Sequence, residues 1–131
     1  MQIIHVKGCA IFVGIVTIRG ATTTNNNQKD ILLAAKELLE EIRGKNKLDK
    51  KGVISILFSA TQDLDSVYPA RAARELGYTK CGLMCFNEMK VIGSLNKCIR
   101  LMILYNGNLS QDEVKHVYLR DAVVLRPDLV K

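Results

Sequence analysis

The fold is constrained most by an imbalance: one long amphipathic helix set against several short β-branched runs. Between Gln28 and Arg43, the residues Ile31, Ala35, Leu38 and Ile42 recur at helical spacing, with Leu32 and Leu39 beside them. Glu37, Glu40 and Glu41 fall outside this stripe, and Gly44 is the expected stop. Ile11–Ile18, Val53–Ala60, Cys81–Met89 and Lys97–Tyr105 read as strands, the last two joined through Gly93 and Ser94. Lys115–Leu119 is a shorter fifth strand. Ser110 with Glu113 also fits a capping box there, so a helical turn competes for that segment. Pro69 suits the first position of a short helix, Pro69–Leu76, closed by Gly77. Arg19–Asn27 reads as a polar loop supplying helix N-caps, and Lys45–Lys51 as a charged, solvated connection. The sum is an α+β fold: a mixed five-stranded sheet with one long and one short helix. One long helix covers only part of such a sheet. The remaining apolar surface has to be buried by something else, and identical subunits are the economical answer.

No repeat, low-complexity stretch or proline-rich linker interrupts the 131 residues. We therefore expect a single domain over residues 13–131, with residues 1–12 as an N-terminal extension. The apolar run Cys9–Val16, preceded by Lys7, is too short to span a membrane. Cleavage after it would fall near Ala21 and remove Arg19, so we read it as part of the extension and not as an export signal. Cys9, Cys81, Cys85 and Cys98 form no CxxC pair, and His5 and His116 lie near no cysteine cluster. No metal-site spacing results, and the cysteines read as thiols in a reducing cytoplasm. The formal charge of +6 suits an anionic partner without naming it. A nucleic-acid surface would interleave aromatics with its basic residues, and Lys45–Lys51 has none, so neither nucleic acid nor membrane is expected as a partner.

The chain has no GxSxG, P-loop or GxGxxG motif and no Ser-His-Asp set. His116 alone is a poor general base and reads as a surface residue. Cys85 is the cysteine to hold open as a nucleophile, with no base evident beside it. Arginine in structured places is the stronger signal. On an extended segment Cys98, Arg100, Met102 and Leu104 share a face. A guanidinium among apolar neighbours either meets an anion or marks an edge strand facing water, and the segment leaves both readings open. Arg19 closes an apolar strand, Glu88 could accept a hydroxyl proton or pair with an arginine, and Arg126 precedes Pro127. Arginine forks grip carboxylates, so a small dianion bearing a hydroxyl is a sensible ligand.

Six separated segments add specificity. They are Arg19-Gly20-Ala21-Thr22-Thr23, Ser59-Ala60-Thr61, Tyr68-Pro69-Ala70-Arg71-Ala72-Ala73-Arg74, Cys85-Phe86-Asn87-Glu88-Met89, Lys97-Cys98-Ile99-Arg100, and His116-Val117-Tyr118-Leu119 continuing to Leu125-Arg126-Pro127-Asp128-Leu129. In order and spacing they resemble the small homotrimeric chorismate mutases with a pseudo-α/β-barrel, over nearly the whole chain from Val16 on. Tyr68, Arg71 and Asn87 stand where that family more often has Phe, Lys and Gln.

The resemblance implies a cofactor-free, metal-free isomerase of the shikimate pathway acting on chorismate, with three active sites between subunits. It implies that Arg19 and Tyr118 hold one carboxylate and that Arg100 reaches the ether oxygen and a carboxylate. Glu88 and the Cys85 segment would then hydrogen-bond the ring hydroxyl. Tyr68, Ala70, Leu83, Met84 and Leu125 would line the pocket, and Arg71, Arg74 and Arg126 would cover the more exposed carboxylate. Competing readings are a non-enzymatic trimer binding an anionic metabolite and a related mutase for another enolpyruvyl compound.

Overall fold

The structure, a computed structural model, describes residues 2–6 and 8–128. Met1, Lys7 and residues 129–131, including Leu129 of the last matching segment, lie outside it. Seven strands and two α-helices are described: β1 (Gln2–Val6), β2 (Cys9–Val13), β3 (Ile15–Thr23), α1 (Gln28–Asn46), β4 (Val53–Ala60), α2 (Ala70–Glu75), β5 (Gly82–Asn87), β6 (Cys98–Asn106) and β7 (Val117–Tyr118). Short 3-10 turns span Lys50–Gly52, Gln111–Glu113 and Arg120–Leu125. β1 and β2 form a separate antiparallel hairpin. The other five strands form one mixed sheet in the order β5-β4-β6-β3-β7. The α+β architecture is as expected, and the hairpin is an addition to it.

Helix α1 follows from its stripe. Ile31, Ala34, Ala35, Leu38, Leu39 and Ile42 are buried against the sheet. Asn27 caps the start by accepting the Asp30 amide at 2.8 Å, and Asp30 adds a negative charge to the first turn. The helix runs past Gly44, the expected stop, to Asn46 and ends at Lys47 in the left-handed conformation (φ 51°). The buried Asn46 side chain donates to the carbonyls of Ile42 and Lys115 and accepts the Lys115 amide at 2.7 Å. Those bonds contribute about 0.5–1.5 kcal/mol each, which outweighs the roughly 1 kcal/mol cost of a glycine inside a helix.

Strand limits also differ from expectation: β5 is shorter than Cys81–Met89, and β7 keeps only Val117–Tyr118 of Lys115–Leu119. The run Ile11–Ile18 is broken at Gly14 into β2 and β3, and Arg19–Thr23 continues β3 where a loop was expected. The reason is non-local: Gly20, Ala21, Thr22 and Thr23 pair with Leu101, Arg100, Ile99 and Cys98 of β6. Four ladder positions with buried threonines overcome a locally polar composition. Near the C-terminus both competing readings hold. Ser110 and Glu113 form a capping box on a 3-10 turn, and β7 follows it.

The core fills the space between α1 and one face of the sheet. Ile18, Ile56, Phe58, Ile99 and Ile103 meet the helix stripe. At Gly20 a Cβ would lie 2.7 Å from Ile42 Cδ1, so the absent side chain sets how closely helix and sheet approach. The opposite face carries no α-helix, and only its β3–β7 end is covered, where Ala122 of the turn Arg120–Leu125 packs on Ala21, Cys98 and Tyr118. Pairing runs one row straight across all five strands there, Phe86–Ser59–Arg100–Ala21–Tyr118. A second row, Met84–Leu57–Met102–Arg19, lies beside it. Met84 and Phe86 are at least half exposed.

Candidate active site

Arg100 sits on β6, the central strand and not an edge, and its half-exposed side chain meets an anion. Its Nε donates to Glu88 Oε2 and its Nη2 to Glu88 Oε1, both at 2.7 Å, a bidentate fork. Glu88 lies just past β5, where its amide donates to the Ala60 carbonyl at 2.9 Å. Ser59 Oγ donates to Glu88 Oε2 at 2.6 Å. The Arg100 fork, helped by Ser59, holds the Glu88 carboxyl below the usual glutamate range despite its partial burial. Glu88 correspondingly holds the guanidinium proton more tightly.

A cavity of about 280 Å³ opens on the face of the sheet opposite α1, lined by Arg19, Ser59, Phe86, Arg100, Met102 and Tyr118 among others. Arg19, Arg100 and Tyr118 therefore line one cavity. Arg100 Nη1 has no hydrogen-bond partner among the described residues, while its other donors are tied to Glu88. The backbone at Arg19 is pinned: its amide donates to His116 Nδ1 at 2.9 Å. Burial, then the Arg19 and Arg126 charges, lower the His116 pKa, so this partly exposed ring is a neutral acceptor.

The remaining expected residues gather elsewhere. Tyr68 is largely exposed and, with Cys85, lines a second cavity that shares Phe86 with the first. Cys85 and Leu83 alternate with Phe86 and Met84 on β5, and they pack on the helix-side core. Burial raises the Cys85 thiol pKa, opposed only in part by a bond involving Ala70 and by the Arg74 charge, so the thiol stays protonated near neutral pH. Ala70 is buried at the start of α2. Arg71 pairs with Glu75 at 3.0 Å and Arg74 is exposed. Arg126 forks onto Asp128 at 3.0 and 3.1 Å, and Leu125 is partly exposed beside it. Sequence reasoning named Ser59, Phe86 and Met102 within segments but gave none of them, nor Leu57, an individual place in the site. Period-2 alternation grouped them by face, but only the register aligned those faces across strands.

Geometry of this kind fits an anion cleft, and the family model for type I chorismate mutase matches residues 15–129. The chain belongs to that family, a family of isomerases. It is 46% identical over 114 residues to chorismate mutase AroH of Bacillus subtilis (strain 168), covering 86% of this chain and 90% of that one. It is 40% identical to chorismate mutase AroH of Thermus thermophilus over 86% of this chain and 93% of that one. A solved chorismate mutase from Clostridium thermocellum superposes with a TM-score of 0.81 at 47% identity, covering 82% of this chain and 97% of that one. Among the described residues, no helix is long and apolar enough to cross a membrane, and no group of three or more His, Cys, Asp or Glu is arranged to hold a metal.

Proposed function

We propose that this chain rearranges chorismate to prephenate in aromatic amino acid biosynthesis, as a cytoplasmic homotrimer forming a pseudo-α/β barrel. The reaction is an intramolecular [3,3] shift: a C–O bond breaks as a C–C bond forms, and no proton moves. It needs no general acid, base or nucleophile, which suits a neutral His116 and a protonated Cys85. Two effects lower the barrier. One is selection of the conformer with the enolpyruvyl arm over the ring, and the other is stabilisation of negative charge growing on the ether oxygen.

The observation that carries the reading is the Arg100–Glu88 fork. A permanent cation is held by two of its three nitrogens, the third has no hydrogen-bond partner among the described residues, and the residue lines the cleft. In this reading Nη1 meets the ether oxygen. Arg19 and Tyr118 hold a carboxylate, and Glu88 with the Cys85 segment takes the ring hydroxyl. Tyr68, Ala70, Leu83, Met84 and Leu125 wall the pocket, while Arg71, Arg74 and Arg126 attract the outer carboxylate. The Arg19–Arg100–Tyr118 group and the Tyr68–Cys85 group lie in different cavities of one chain. That separation favours a site completed by a neighbouring copy, as does the face opposite α1 bearing Met84 and Phe86. The mutase domain is taken as residues 13–131, with residues 1–12 as an extension.

The test is loss of chorismate absorbance, with product identification and sedimentation of the same sample. Turnover to prephenate far above the spontaneous rate, from a species of three chains, is expected. A folded trimer that does not exceed the spontaneous rate would return the chain to the metabolite-binding reading. Full activity in a monomer would overturn the shared site.

A further inference from the structure

We infer that Ser59 is a positioning residue, whose hydroxyl anchors the Glu88 carboxylate to the central sheet and so fixes where Arg100 aims its free nitrogen. The inference rests on the proposed role of the Arg100–Glu88 pair and extends it to a residue outside that pair. An ion pair between two long side chains sets their geometry relative to each other, not relative to the sheet. Glu88 and Arg100 each carry several rotatable bonds, and the fork by itself can swing as a unit. Something short has to tie it down.

Ser59 is placed to do so. It stands on β4 directly opposite Arg100 on β6 and Phe86 on β5, in the row that crosses the open face. Its side chain has a single rotatable carbon–carbon bond, and β4 is hydrogen-bonded on both sides. The hydroxyl donates to Oε2 at 2.6 Å, and Arg100 Nε meets that same oxygen at 2.7 Å. The other tie on the carboxylate, from the Met89 amide to Oε1, is longer at 3.3 Å and comes from residue 89, just past the strand. Without the hydroxyl, the fork persists but its position is set mainly by that weaker contact. The unpartnered Nη1 then loses its fixed position relative to the sheet, and a misplacement of about 1 Å can cost up to ~10²-fold in rate. The Ser59 bond also helps keep Glu88 ionised.

The experiment is a double-mutant cycle on Ser59→Ala and Glu88→Gln, with Ser59→Thr as the conservative variant and urea unfolding of each protein alongside. In Ser59→Ala, kcat falls between ~10- and ~10²-fold with KM changed far less, and the acid limb of the kcat/KM profile moves to higher pH. Ser59→Thr keeps the hydroxyl and restores most of the rate. In the Glu88→Gln background, adding Ser59→Ala produces little further loss, because the hydroxyl acts through that carboxylate. A merely structural serine predicts instead a loss that tracks stability and multiplies in full in the double variant. If Glu88→Gln is impaired while Ser59→Ala is near-native, or if the two losses multiply, the inference on Ser59 fails alone. If Glu88→Gln itself is near-native, the proposed role of the pair fails, and the inference with it.

Discussion

Replacing Arg100 by lysine separates charge from fork. Arg100 spends Nε and Nη2 on Glu88, at 2.7 Å each, and keeps Nη1 without a partner among the described residues at the edge of the cleft it lines. A lysine has one nitrogen on a flexible stem, and it cannot lie side-on to a carboxylate while also meeting an ether oxygen. Glu88 is ionised and the ether oxygen is neutral in the ground state, so the ammonium goes to Glu88. The variant therefore loses a transition-state donor outright. Removing one such donor costs ~10²–10³ in kcat, about 2.7–4 kcal/mol. Stability should barely change, because the Arg100 side chain is 54% exposed and such pairs contribute about 0–1 kcal/mol. The assay is the initial rate of chorismate absorbance loss at saturating substrate, on protein with native size and unfolding midpoint. Arg100→Ala should lose at least as much. Near-native kcat in Arg100→Lys would refute the assignment of fork and ether donor to one side chain.

Three other outcomes are expected. Gly20→Ala drives a Cβ to 2.7 Å from Ile42 Cδ1, 3.1 Å from Leu38 Cδ1 and 3.2 Å from the Val117 carbonyl oxygen. Overpacking of that kind costs ~1–3 kcal/mol, read as a lower urea midpoint; an unchanged midpoint would mean that the helix yields freely. His116 has a lowered pKa in the fold, so the stability it contributes is present above the unfolded value of ~6.5 and is lost as pH falls through the folded one. Unfolding free energies between about pH 7 and 5 should decline less in His116→Asn, which keeps an acceptor for the Arg19 amide but cannot protonate; equal slopes would exclude this linkage. Cys85→Ser should keep much of the activity, because a protonated, half-buried thiol is no nucleophile; complete loss in a folded protein would reopen covalent chemistry.

Some of this was legible without coordinates. The stripe Ile31–Ile42 gave α1, since a 3.6-residue period is a local property. Val53–Ala60 matched its strand residue for residue, being apolar and β-branched between polar flanks. The limits of β3 and α1 were not legible, because each depends on a distant partner: β6 for Arg19–Thr23, and the Lys115 backbone for Asn46. The arginines and Glu88 stood out as residue types. Their pairing did not, since Glu88 had two open roles and Arg100 could have faced water.

By itself the sequence determined the α+β class, the positions of the main elements and, through six segments in register, the family. Only the tertiary structure decided which face each chemical group occupies. Alternation along a strand sorts residues into two sets, but register across strands chooses which sets align. That choice put Phe86, Ser59, Arg100 and Tyr118 in one row and turned Cys85 toward the core. It also brought a carboxylate twelve residues away onto the Arg100 guanidinium. Local composition carries no record of such contacts, because hydrogen bonds between strands depend on where the chain returns and not on what lies next to it.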